Sequence, residues 1–255
     1  MDKNNLIKLV DFINELSDIN GNEWLKKELL SKLSPSNNSP SLELTKMEEI
    51  YEYCLQQIIK EHAEKFYSEF KLNVIKQKLV DDFIRMEKFR REDNFEDFCL
   101  ALFQQIEGII NALITDEIQK MIIDEKNTLT HKTKNKINGL YESQKLWQLI
   151  FPFIKEEDLL NKLSKSIYQW DFTERYRVIL FIYYFNKKIY NYQDFQTIFF
   201  LGNELYQSRN LNHRGGKTTD NQKKTIDKVT SNSHRYYFKF MGFLEEFSNK
   251  INSTI

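Results

Sequence analysis

The chain has 255 residues, with 37 basic and 37 acidic side chains, so overall charge draws it to neither nucleic acid nor anionic lipid and any such attraction must be local. Hydrophobic residues make up 41% and aromatic residues 14%, enough to bury a sizeable core. The seven Gly and three Pro fall far below the usual ~7% and ~5%, which excludes a turn-rich sandwich and favours long helices.

The first residues, Met1-Asp2-Lys3-Asn4-Asn5, lead into an amphipathic segment rather than a signal peptide. Leu6, Leu9, Val10, Ile13 and Leu16 recur at intervals of three and four, and Trp24, Leu25, Leu29 and Leu33 follow after Asn20-Gly21-Asn22, so residues 5–33 read as two short helices. Ser34 to Ser41, with two of the three prolines, is the clearest linker. The expected division is an N-terminal helical subdomain and linker over 1–40 and a helical bundle over 41–255.

Thr45-Lys46-Met47-Glu48 matches a capping box at a helix start. The helix after it carries an apolar stripe from Met47 to Phe70, with His62 on that face as a core or interface residue, and 72–89 extends or follows it. Arg90-Arg91-Glu92-Asp93-Asn94 marks a break. A long helix then runs over about 95–123, with Phe98, Cys99, Leu102, Phe103, Ile106, Ile110 and Leu113 inward. Residues 125–139 read as a polar, Lys-rich loop. Helices follow at 140–151, 156–169 and 173–187, and the strand-like run Arg177 to Phe185 is assigned to a buried helix because it lacks turn residues. Further helices cover 192–213 and 218–249. Cys54 and Cys99 lie in helical apolar patterns and predict buried free thiols in a reducing, cytoplasmic compartment. The longest apolar run, Val178 to Phe185, is eight residues, short of the ~18 needed to span a membrane. The fold class is all-α, a multi-helix bundle with additional N-terminal helices.

Chemistry points to one stretch, Arg209-Asn210-Leu211-Asn212-His213-Arg214-Gly215-Gly216, where Arg, Asn, His and paired Gly concentrate. Arg209 and His213, four apart, would share one face of a helix. A guanidinium holds phosphate oxygens through a rigid fork and stays charged, and an imidazole moves protons near neutral pH. The pair suits cleavage of RNA by attack of a ribose 2′-hydroxyl on the adjacent phosphorus. No metal or cofactor is called for: His62, His131, His213 and His234 are scattered, and no Cys/His or Asp/Glu grouping has zinc spacing. The same residues also suit a plain helix C-terminus, where Arg209, His213 and Arg214 complement the dipole and Gly215 caps.

Arg209-Asn210-Leu211-Asn212-His213 resembles the Arg-Asn-…-His motif of the HEPN superfamily, helical-bundle proteins that include metal-independent endoribonucleases of prokaryotic defence and toxin–antitoxin systems. The resemblance covers roughly residues 90–250. It implies a homodimer with a composite RNA cleft, with Arg209 and His213 catalytic and Asn210 orienting one of them. Asn212 and Arg214 are supporting. Glu107, amid the apolar face of an earlier helix, stands for the acidic residue that in the family faces the motif, and it is expected to pair with Arg209. Three residues separate Arg209 from His213, fewer than the family usually has, which leaves open an altered geometry or an inactive relative. Lys126 to His131 has the family spacing with Lys for Arg, and Lys lacks the bidentate fork.

From Arg209 to Lys228 six basic residues face two acidic ones, and Tyr206, Tyr236 and Tyr237 are near in sequence, a pattern that fits phosphate contact and base stacking as well as two solvated loops. His234 is expected at a half-exposed helix position. The implied partners are RNA, a second copy, and a defence-system or antitoxin protein, with no membrane. The alternative function is a non-catalytic HEPN-like helical module that binds RNA or a partner protein.

Overall fold

The computed structural model describes residues 8, 11–16, 18, 22, 24–25, 28, 44–134, 141–187, 192–209 and 219–255. It forms two compact units, residues 1–58 and 59–255. The expected linker, 34–41, and the expected division at 40/41 lie outside the described residues.

In the first unit, residues 11–16 are helical, and Leu25 and Cys54 are buried with Ile13 and Leu16 packed on them. Trp24 meets Tyr53 edge-on, with centroids 6.2 Å apart. Helix α1 is Leu44–Phe66. It begins one residue before Thr45, so Thr45 is inside the helix and not at the cap where the capping-box pattern put it.

The second unit holds the main core. Helix α2, Asn73–Arg91, ends in Lys88, Arg90 and Arg91, cations that complement the negative end of the dipole. The chain turns at Asp93, whose φ of 53° is left-handed, a conformation short polar side chains tolerate. Asn94 then caps α3, Phe95–Leu113, accepting the Asp97 N–H at 3.3 Å. Eleven of the nineteen residues of α3 are buried, because its apolar stripe is wide enough to be covered on several sides: α2 and the helices Phe172–Ile179, Tyr192–Ser208 and Ser233–Thr254 all pack on it. Gln105, fully buried on α3, is satisfied by the Tyr67 hydroxyl at 2.8 Å and the Ala101 carbonyl at 3.2 Å.

The expected long helix over 95–123 is two helices. Ile114 and Thr115 are extended, Thr115 caps α4, Asp116–Glu125, by accepting the Ile118 N–H at 3.4 Å, and the axis bends by 71°. A hydroxyl that satisfies a free amide, followed by Asp116 and Glu117 at the positive end of a new dipole, favours restarting over continuing. Part of the expected loop over 125–139 and the start of the expected helix over 140–151 are instead strands: β1, Thr130–Lys134, pairs antiparallel with β2, Tyr141–Lys145, in the register Thr130 to Lys145 and Lys134 to Tyr141. Helix α5, Leu146–Ile150, follows at once. Residues 156–169 break into a 3₁₀ turn at 156–158, helix α6, Leu159–Ser164, and a second 3₁₀ turn at 167–169.

Helix α7, Phe172–Ile179, opens on a capping box in which Asp171 and Glu174 exchange bonds, and passes into a π-helix, Leu180–Tyr184. The strand-like run is thus helical and buried, as expected. Helix α8, Tyr192–Ser208, ends short of the expected 213, with 210–218 outside the described residues. The expected helix over 218–249 is also two: α9, Asp220–Thr230, capped by a Thr219/Gln222 box, and α10, Ser233–Thr254. Asn232 separates them by donating its side-chain amide to the Lys228 carbonyl at 2.9 Å, the local bonding by which Asn competes with helix continuation.

Among the described residues the architecture is an all-α multi-helix bundle with one small strand pair. No single helix among them is long and apolar enough to cross a membrane. Cys54 and Cys99 are both buried and free, and burial pushes both thiols up, so neither is an activated nucleophile.

Candidate functional site around Arg209

Three helices meet at Arg209. Helix α3 brings Phe103 and Glu107, α7 brings Phe172, and α8 brings Tyr206. The three rings form one cluster: Phe103 meets Phe172 edge-on at 4.8 Å and lies tilted 5.6 Å from Tyr206, and Phe172 stacks on Tyr206 at 5.0 Å. Below them, Gly202 sits so close to the buried Tyr176 ring that a Cβ would come within 2.5 Å of it, and the Tyr176 hydroxyl donates to the Ile198 carbonyl at 3.0 Å. Glycine at 202 therefore sets how near α8 can approach α7, and the approach brings Tyr206 onto Phe172.

Arg209 follows the last residue of α8, its N–H still bonded to the Leu205 carbonyl at 3.1 Å. Its guanidinium carbon lies 3.9 Å from the Phe103 centroid and 4.4 Å from that of Tyr206. A cation over two ring faces gains about 0.5–2 kcal/mol per contact, more where water is excluded. The Arg209 Nη1 is 3.8 Å from Glu107 Oε2, with the two side chains 20% and 32% exposed. The expected Glu107–Arg209 pairing is therefore present, and at that distance it is Coulombic attraction rather than a directional hydrogen bond. The remaining residues singled out in the motif, Asn210, Asn212, His213 and Arg214, lie outside the described residues.

The other histidines stand apart from Arg209 in role. His62 is exposed, not core, and rests edge-on against Phe83 at 5.3 Å. His234 is exposed near the start of α10. His131 is in β1, opposite Gln144, so the Lys126–His131 segment crosses from a helix end into a strand. Among the described residues no group of His, Cys, Asp and Glu is arranged to hold a metal ion.

Two residues near the site were not anticipated. Glu204, on α8, accepts from Lys228 at 2.7 Å and Lys239 at 2.9 Å, with the Tyr236 hydroxyl at 3.4 Å. Burial acts to raise its carboxyl, but the hydrogen bonds and charges of the two ammonium groups outweigh burial and leave it below the usual range. Glu204 thereby fastens α9 and α10 to α8, and part of the local excess of positive charge read from the sequence is spent on this carboxylate. Arg175, on α7, donates to the Asn111 side-chain oxygen on α3. Neither contact has a signal in local spacing, since each joins residues tens of positions apart.

A cavity of about 360 Å³ lies at the other end of α8, bordered by Tyr184, Asp194, Glu246 and Lys250. Asp194 precedes Arg209 by about four helical turns, on the order of 20 Å, so this cavity is not the Arg209 site.

Comparison with known proteins adds no relative: no protein-family profile, no curated protein and no solved structure matches the chain.

Proposed function

We propose that the chain is a HEPN-like, metal-independent endoribonuclease acting in a defence or toxin context, with two copies forming a composite cleft. The 2′-oxygen of one ribose attacks the adjacent phosphorus and the bond to the 5′-oxygen breaks, giving a 2′,3′-cyclic phosphate and a free 5′-hydroxyl. Arg209 stabilises the charge that develops on the non-bridging oxygens. His213 takes the 2′-hydroxyl proton or delivers one to the leaving 5′-oxygen, and Asn210 orients one of the pair.

The observation that carries this reading is the fixed guanidinium of Arg209, held over Phe103 and Tyr206 and drawn by Glu107 at 3.8 Å, where the Asn210–Gly216 stretch begins. A cation set in place before substrate arrives is the condition for electrostatic catalysis. The same half-buried ion pair also favours a second reading, in which Arg209 ties α8 to α3 and the protein is a non-catalytic helical module that binds RNA or a partner protein.

The two separate in one assay. Labelled RNA is incubated in EDTA with wild-type protein, Arg209→Ala and His213→Ala. Cleavage that persists in EDTA and falls by about 10²-fold or more in both variants supports the nuclease. RNA left intact by all three proteins, with folded variants, sinks the nuclease and leaves the module.

A further inference from the structure

We propose that Arg175 is a second phosphate-binding side chain, so that one face of α3 presents two guanidiniums to successive phosphates of a single-stranded RNA. The proposal rests on the reading of Arg209 as a phosphate contact and extends it to the neighbouring nucleotide.

Arg209 is anchored on Glu107 and Arg175 on Asn111. Glu107 and Asn111 are four apart on α3, which puts them on one face, one turn or roughly 6 Å apart. That spacing is comparable to the separation of neighbouring phosphates along a single strand. Both cations also stand on the same rigid base. Phe172 precedes Arg175 by three positions on α7 and packs on Phe103 and Tyr206, the two rings beneath Arg209.

The two anchors differ in charge. Glu107 is a carboxylate and offsets Arg209. Asn111 is neutral: its oxygen positions the Arg175 guanidinium without cancelling it. Among the described residues no carboxylate is paired with Arg175, and its neighbour Glu174 is engaged by Lys162 at 2.7 Å and by the Asp171 N–H. The Arg175 Nε–H is buried and has no hydrogen-bond partner among them, so contact with a phosphate falls to the Nη groups at the partly exposed end of the side chain. The result is a positioned cation beside Asn111, which is exposed, so the site opens to solvent where a strand can reach it. Arginine serves here better than lysine, because its fork can give one N–H to Asn111 and others to a phosphate oxygen.

The test measures binding of a fluorescein-labelled, unstructured single-stranded RNA by anisotropy at several salt concentrations, with His213→Ala as the background so that RNA stays intact. Losing one phosphate contact lowers the magnitude of the slope of log K against log salt by about 0.7 for a single strand. Arg175→Gln is expected to show that change with a several-fold loss of affinity at low salt. Asn111→Asp leaves Arg175 in place but supplies the missing carboxylate, and it is expected to lower the slope equally. Arg175→Lys keeps the slope while weakening binding, and Lys155→Gln, at an exposed position, changes neither. Slopes for Arg175→Gln and Asn111→Asp equal to the background protein overturn the proposal. If the wild-type protein nonetheless cleaves RNA in EDTA, the nuclease reading survives that result. A slope that falls in a protein that never cleaves RNA supports Arg175 and removes the nuclease. RNA that no variant and no wild-type protein binds removes both.

Discussion

Two charged residues join α8 to its neighbours, Glu204 within the helix and Arg209 just past its end, and they do so differently. Glu204 takes two lysines at 2.7 and 2.9 Å, distances at which charge-assisted hydrogen bonds are strong and directional. Arg209, five residues on, meets its carboxylate only at 3.8 Å and rests on ring faces. Glu204 is spent on holding α9 and α10 to α8. Arg209 is drawn to Glu107 by charge at a distance beyond a directional hydrogen bond and rests on two ring faces, forces that place a cation through its charge. The difference separates a fastening from a positioned charge, although both are ion pairs of one short stretch of chain.

The largest effect is expected of Gly202→Ala, because position 202 lies on the helix that carries Glu204 and leads into Arg209, and it faces the Tyr176 ring. A methyl group there would meet two ring carbons and the hydroxyl oxygen of the fully buried Tyr176 at 2.5–2.6 Å, and the side chain is held by the bond of that hydroxyl to the Ile198 carbonyl. Overpacking of this kind costs about 1–3 kcal/mol. For a chain of this size that lowers Tm by several degrees, read by circular dichroism. The shift of α8 away from α7 should also separate Tyr206 from Phe172, and under the proposed nuclease function RNA cleavage falls with it.

Glu204→Gln sharpens the comparison from the fastening side. It leaves Lys228 and Lys239 without their carboxylate, but both ammonium groups are largely solvated, 61% and 47% exposed, so the loss is discounted to about 1 kcal/mol. Its pH dependence is the more specific readout. The folded-state carboxyl is held below its ordinary value, so the unfolded chain takes up the proton first as pH falls. The stabilisation from Glu204 is therefore complete above the usual Glu value of about 4.3 and is lost as pH drops through the lower, folded value. Denaturant midpoints measured from pH 6 down to pH 3 should fall less steeply in Glu204→Gln than in the wild-type protein. Parallel curves would mean that Glu204 fastens nothing.

Sequence periodicity located most helices of the second unit but not their ends. Apolar residues at three- and four-residue spacing identified the inward face of α3, since that pattern is produced by burial itself, and the lack of turn residues assigned the Arg177–Phe185 run to a buried helix. It was blind to breaks made by small polar groups. Thr115 restarts one helix and Asn232 another, and neither interrupts the apolar stripe. The strand pair escaped because its strands, Thr-His-Lys-Thr-Lys and Tyr-Glu-Ser-Gln-Lys, have no apolar alternation. Glu107 was legible as a partner for Arg209 because a carboxylate amid apolar neighbours needs one. Glu204 and Arg175 were not, because their surroundings are polar and their contacts are long-range.

The smallest effect on stability, and the finest test of the difference between Arg209 and Glu204, belongs to Glu107→Gln. The substitution keeps shape and removes one charge. An ion pair at 3.8 Å with both side chains partly exposed contributes about 0.2–1 kcal/mol, so Tm should move by no more than about 1–3 °C. The rings still support the guanidinium, and cation–π attraction of about 0.5–2 kcal/mol keeps it near its place. If Arg209 is a fastening like Glu204, nothing else changes. If it is a positioned cation, removing the carboxylate that draws it to α3 broadens its placement, and the interactions lost are those made when charge builds on the phosphate. Cleavage should then fall in kcat by more than the stability change accounts for, with KM little altered, because a neutral glutamine leaves the cationic attraction for RNA intact or raises it.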